Sequence, residues 1–164
     1  MASYIKEGIE HAGLIVKKYY CPYVNNQIDQ LMNVDAIVFG SPTYFGAASF
    51  EMKKFMDLTS GIWQKQLWQN KIAAAFTYSS CLNGDKLSVL QQFFIFAQQH
   101  GMIWVGLNTQ CDINKEINYL GSWSGLMALS PKKSEQFSYS RAIDEKTAQY
   151  FGYRIGTITQ SFNF

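Results

Sequence analysis

The chain has 164 residues, of which 48% are hydrophobic, 16% aromatic and 16% charged, enough for a single domain that buries roughly two thirds of its unfolded surface. A formal net charge of +2 with scattered lysines gives no footprint for nucleic acid, the nearest basic run being Lys132-Lys133 in a loop-like stretch. Cys21, Cys81 and Cys111 are widely and irregularly spaced, which argues against a disulfide framework or a metal site and for the reducing cytoplasm, and no apolar run reaches the roughly 18 residues of a membrane span.

Ser3 to Ala12 reads as a helix, with Ile5 and Ile9 one turn apart on its apolar face and Gly13 as its C-terminal cap. Leu14 to Tyr20 reads as a strand, followed by a polar connection with Pro22 and a short helical patch from Gln27 to Met32. Val34 to Gly40 is a continuous apolar run of the kind buried on both faces of a parallel sheet. Its strand leads into a loop that begins at Ser41. Ser49 is an N-cap for a helix to about Leu58 that turns Phe50, Phe55 and Met56 inward. Gly61-Ile62-Trp63 then reads as a loop.

Lys71 to Tyr78 is the next buried strand, and Asp85 opens a long helix with Leu87, Leu90, Phe94 and Ala97 at helical spacing, ending before Gly101. Met102 to Leu107 is the fourth strand. From Asn108 to Ser140 no period is visible, and an excursion of that length inside a compact domain is functional or interfacial. Arg141 to Phe162 is amphipathic, with Ile143, Thr147, Phe151, Ile155 and Ile158 on one stripe. The alternation of helix and strand implies an α/β fold built from right-handed βαβ crossovers. The series opens on a helix, so the strand and phosphate-gripping loop that ordinarily begin such a domain are expected to be absent, leaving residues 1–164 as one domain shortened at its N-terminus.

Ligands of open α/β sheets sit beyond the carboxyl ends of the strands. Two loops lie there. In the first, Pro42 stiffens the turn, Gly46 allows an unusual backbone conformation, Thr43 is small, and Tyr44 and Phe45 offer flat apolar area for a planar heteroaromatic ligand. The second contains Tyr78, Ser79, Ser80, Asn83 and Gly84, small side chains with free amides. Gly and Pro also punctuate purely structural turns, and Trp63 reads equally as a ligand-stacking ring or a core residue. His100 next to Gly101 reads first as a helix C-cap. No Ser-His-Asp, paired-carboxylate or phosphate-loop pattern appears, so if the chain is an enzyme a cofactor must carry its chemistry.

These residues resemble the flavodoxin-like NAD(P)H:quinone oxidoreductases of the WrbA type. The resemblance is carried by Asp35 to Gly46, Phe55-Met56-Asp57 with Gly61-Ile62-Trp63, Gly84 to Leu87, Gln99 to Leu107 and Leu120 to Trp123. It implies a flavodoxin-like three-layer αβα fold with a parallel sheet lacking its first strand. It further implies FMN held by Pro42, Thr43, Tyr44, Phe45 and Gly46 on one side and by Tyr78, Ser79, Ser80, Asn83 and Gly84 on the other. Gln99 and His100 stand where many members carry a histidine pair near the flavin. Trp63 falls where the family forms its substrate pocket between subunits of a homodimer or homotetramer, in which hydride passes from NAD(P)H through FMN to a quinone. The contrasting reading is a flavin-free, degenerate interaction or structural protein, favoured by the absent phosphate loop.

Overall fold

Buried apolar side chains fall into two clusters, one on each face of a central sheet, in the computed structural model of the chain, which describes residues 1–112, 114–130 and 139–162. Pro131 and the Lys132-Lys133 pair lie outside the described residues. Helix α1 (Ala2–His11) buries Ile5 and Ile9, and Gly13 follows it with φ +89°. Two 3-10 turns, Cys21–Asn26 and Ile28–Asn33, occupy the expected polar connection. Strand β1 (Ala36–Tyr44) and the two-residue β2 (Ala47–Ala48) form a hairpin, followed by α2 (Phe50–Leu58) and α3 (Ser60–Gln64). Strand β3 (Ile72–Ser79), α4 (Lys86–Gln99), β4 (Ile103–Trp104), β5 (Leu126–Leu129) and α5 (Arg141–Ser161) complete the chain.

The sheet order is β2-β1-β3-β4, with β5 continuing along the same edge of β3 that β4 occupies at its start. Pairs of β3 with β1, β4 and β5 are parallel, and only the β1–β2 pair is antiparallel. Helices α2 and α4 cover one face over Phe39, Phe55, Trp68, Phe93 and Phe96, while α1 and α5 cover the other over Ile72, Leu126, Phe151 and Ile155. Ala73, Ala74 and Ala75 in β3 are wholly buried, and their small side chains admit helices on both faces.

Several expectations change. Leu14 to Tyr20 is not a strand, because no described strand lies beside it to complete a ladder. β1 runs four residues beyond Gly40, since Ser41 and Pro42 stay in register with Thr77 and Tyr78, and the Thr43 and Thr77 hydroxyls bond at 2.7 Å. Ser41, Pro42, Thr43 and Tyr44 are therefore strand residues, and the turn itself is Phe45-Gly46. Gly61-Ile62-Trp63 lies in α3 rather than in a loop. Phe50 points outward and Met52 is buried in its place, while Phe55 is buried as expected. In α4 the buried stripe is Lys86, Val89, Leu90, Phe93, Phe96 and Ala97, which leaves Leu87 and Phe94 exposed. β5 lies within the stretch expected to be an excursion, and its pairing to β3 is a long-range contact that no local period announces.

Candidate functional site

The two loops that the sequence singles out meet at the carboxyl end of the sheet. The β1–β2 turn is reached through left-handed backbone at Phe45 (φ 49°) and Gly46 (φ 73°), and the second loop closes through Gly84 (φ 55°) and Asp85 (φ 51°). A Cβ added at Gly46 would stand 3.8 Å from the Asp85 Cβ, so the tips are neighbours. From α4, Gln92 ties down the first: its amide N–H donates to the Gly46 carbonyl at 3.2 Å and its oxygen accepts from the Ala48 N–H at 3.3 Å. Ser41 Oγ accepts from the Ser49 N–H at 2.9 Å, and Ser49 Oγ in turn caps α2 through the Met52 N–H.

The second loop is organised by a residue that neither period nor composition singled out. Lys86 is fully buried, and its ammonium donates to the carbonyls of Cys81 (2.7 Å), Leu82 (2.8 Å) and Asn83 (3.4 Å). Burial pushes its pKa down to about 8, opposed by the negative charges of Asp144 and Cys81. Because C=O and N–H of a peptide point oppositely, carbonyls gathered on Lys86 turn the following amides of Leu82, Asn83 and Gly84 away from it. Those amides have no partner among the described residues. Ser79 Oγ donates to the Cys81 carbonyl at 3.0 Å, and residue 84 has left-handed backbone (φ 55°) with its Cβ position against the Ser79 side chain, both of which favour glycine.

Pro42, Tyr44 and Tyr78 line one groove of about 1320 Å³ that also reaches Met1, Ala2, Lys18, Tyr20 and Arg141. Tyr44 is 60% exposed and Phe45 projects fully into solvent. Burial raises the Tyr78 pKa, with smaller contributions from Tyr44 and Tyr20. At the same end, α1 begins without a side-chain cap, and Lys18 Nζ donates to Ser3 Oγ at 3.2 Å over its first turn. Free helix N-terminal amides beside a lysine favour an anionic group.

Trp63, Gln99 and His100 lie elsewhere, around a second hollow of about 480 Å³ shared with Thr59, Gln92 and Phe96. Trp63 is half exposed and Gln99 exposed, whereas His100 is 1% exposed. Thr59 Oγ1 donates to the Met56 carbonyl at 2.7 Å and so accepts from His100 Nε2–H at 3.0 Å, which fixes the tautomer. The ring packs on Trp68 and Phe96 at 4.6 and 4.7 Å between centroids. His100 Nδ1 and Trp68 Nε1 are buried without a bond. The imidazole thus belongs to the core rather than to the loop mouth.

Burial lowers the His100 pKa from 6.5 to about 4. Its folded-state value lies below its unfolded value, so its contribution is fully present above pH 6.5 and lost as pH falls through 4. That loss amounts to about 3 kcal/mol, from 1.36 kcal/mol per unit of pKa. Urea unfolding at a series of pH values tests this: the His100→Phe protein is expected to show a flatter decline between pH 6.5 and 4 than the unmodified chain. Equal slopes would show that this histidine does not control acid stability.

Among the described residues no helix is long and apolar enough to cross a membrane, and no group of three or more His, Cys, Asp or Glu side chains is placed to hold a metal ion. Cys21, Cys81 and Cys111 are free thiols.

Residues 4–109 match the family model described as NADPH-dependent FMN reductase. The flavodoxin FldP of Pseudomonas aeruginosa is 36% identical over 140 residues, covering 82% of this chain and 76% of that protein. An NAD(P)H dehydrogenase (quinone) of Archaeoglobus fulgidus is 32% identical over 121 residues, covering 74% of the chain but only 61% of its own length. A solved flavodoxin, a WrbA-like protein from Agrobacterium tumefaciens, superposes with a TM-score of 0.69 at 31% identity, covering 98% of this chain and 87% of that one. The α/β architecture is flavodoxin-like, as the resemblance implied.

Proposed function

The chain belongs to the NADPH-dependent FMN reductase family, and from that premise we propose that it binds FMN and passes reducing equivalents from NAD(P)H to a quinone. The observation that carries this reading is the meeting of the Phe45-Gly46 turn and the Cys81–Gly84 loop at the mouth that Pro42, Tyr44 and Tyr78 line. FMN, when bound, supplies hydride acceptance and two-electron delivery. The protein supplies position. The residues present fit that group: Tyr44 and Phe45 are flat exposed rings, the Leu82, Asn83 and Gly84 amides are unengaged donors, and the uncapped start of α1 beside Lys18 suits a phosphate.

In this reading Pro42, Thr43, Tyr44, Phe45 and Gly46 form one wall of the cradle and Tyr78, Ser79, Ser80, Asn83 and Gly84 the other. Thr43 acts from behind, holding β1 to β3 through Thr77. Gln99 and Trp63, at the second hollow, serve a pocket completed by another subunit of a homodimer or homotetramer, a role supported by the exposure of Trp63, Phe45 and Phe50. Three free thiols support a reducing cytoplasm. Titration of the purified protein with FMN tests the proposal. The expected result is a yellow protein with quenched flavin fluorescence, whose affinity falls when Tyr44 is replaced by alanine. A protein that stays colourless in excess FMN overturns it.

A further inference from the structure

Asn83-Gly84 is the one Asn-Gly pair in the chain, and the fold holds the two ends of its peptide unit in opposite ways. The pair lies in the bends between β3 and α4, with Asn83 exposed. Neither the Asn83 side-chain amide nor the Gly84 N–H has a hydrogen-bond partner among the described residues. Gly84 carries no Cβ to shield its nitrogen, so rotation within Asn83 brings its Cγ onto that nitrogen without a steric obstacle from residue 84.

The carbonyl of the same peptide is engaged twice. Asn83 O accepts from Lys86 Nζ at 3.4 Å and from the Lys86 backbone N–H at 3.3 Å. Oxygen and nitrogen of a peptide unit are conjugated, so the negative charge left by removing the Gly84 proton resides largely on Asn83 O. Two donors, one of them an ammonium, stabilise that anion as the donors of an oxyanion hole do. More of the nucleophilic nitrogen is therefore present at neutral pH than in a free peptide of the same sequence.

We propose that Asn83 is a self-modification site, at which the folded chain converts its own asparagine to isoaspartate with Lys86 directing the product. In the first step the Gly84 N–H gives its proton to water, the nitrogen bonds Asn83 Cγ, and the side-chain nitrogen takes a solvent proton and leaves as ammonia. A succinimide ring closes. In the second step water adds to the former main-chain carbonyl of Asn83 and the bond from that carbon to the Gly84 nitrogen breaks. The carbon becomes a free carboxylate, and the chain runs on through the side-chain carbon. That carbonyl is the one Lys86 holds, so the ammonium polarises it toward water and then pairs with the carboxylate that forms. The net change is asparagine plus water to isoaspartate plus ammonium, with no oxidation or reduction. The product adds a negative charge and a backbone methylene to the loop, an ageing mark on the proposed FMN cradle. The chemistry is read with no flavin present, so its failure and that of the FMN reading are distinguishable.

The full chain is incubated without flavin at neutral pH and sampled over days by peptide mapping against synthetic asparagine, aspartate and isoaspartate standards. The expected result is a gain of one mass unit at Asn83, formed faster than in the same chain unfolded in guanidinium chloride, by on the order of tenfold. The isoaspartate share should also exceed that of the unfolded chain. Lys86→Met should bring both rate and isomer ratio to the unfolded-chain values. Lys86→Gln is the second neutral variant, and the comparison of folded with unfolded unmodified chain stands if neither variant folds. Asn83→Gln should abolish the signal. A folded chain that reacts no faster than the unfolded one overturns the proposal, and so does an isomer ratio that a folded Lys86→Met or Lys86→Gln protein leaves unchanged.

Discussion

Replacing Lys86 with methionine is expected to weaken FMN binding at least tenfold and to raise amide exchange across Leu82, Asn83 and Gly84 by a similar factor. The buried ammonium collects three carbonyls, and an aliphatic side chain of like length fills the volume but gathers none of them. Freed carbonyls let the peptides rotate, so the outward amides lose their common direction. Global stability should change little at neutral pH. The hydrogen bonds to a charged donor, each on the order of 1.5–3 kcal/mol, are offset by the desolvation that already depresses its pKa. Arginine is not expected to rescue the loop, because its planar fork cannot aim at three converging carbonyls.

The same residue carries a pH signature. Its folded pKa of about 8 lies below the unfolded 10.5, so between those values the unfolded chain keeps a proton that the folded chain has released. Stability therefore rises with pH across that window, by on the order of 3 kcal/mol. Denaturant midpoints at pH 8 and pH 10 should differ more for the unmodified chain than for Lys86→Met. If the two proteins respond alike, the ammonium is not confined as described.

Valine in place of Gly152 is expected to lower stability by at least about 3 kcal/mol and to detach α1 from α5. A Cβ there would stand 2.1 Å from the Ile5 carbonyl oxygen, and one at Gly8 would stand 2.0 Å from that of Gln149. The obstacles are backbone atoms on both sides, so no rotamer change relieves the overlap, and the helices must separate. Ile5, Ile9, Phe151 and Ile155 would then lose their shared burial. The control is Gly61→Ala in α3, where nothing lies within 4 Å of the added Cβ. Helix propensity alone predicts a gain there of roughly 1 kcal/mol or less. Urea midpoints for both variants decide the matter; a small loss at Gly152 would mean that the helix crossing is looser than its contacts imply.

Both predictions concern positions that reading along the chain passes over. Lys86 looks like an ordinary charged residue in the first turn of a helix, and only the fold of residues 81–83 around it makes it a loop anchor. Gly152 interrupts an otherwise amphipathic stretch, and the reason for it is a carbonyl 147 positions away in sequence. His100 shows the converse. Its place before Gly101 was legible as a helix end, yet the neighbours Thr59 and Trp68 that make it a core group come from another segment.

What the order of residues determined by itself was the set of elements governed by local period and composition. Helices α1, α2, α4 and α5 and strands β1 and β3 follow from 3.6-residue stripes, from unbroken apolar runs and from caps such as Ser49. The two loops at the strand ends were marked by glycine, proline and small polar residues. Tertiary structure decided whatever depends on a partner across the fold. Thr77 extends β1 to Tyr44, pairing with β3 creates β5, packing sets the rotation of α4, and the open edge of β1 leaves Leu14 to Tyr20 without a ladder. A strand exists only when a second backbone lies alongside it, whereas a helix satisfies its own carbonyls, and that difference separates what was readable from what was not.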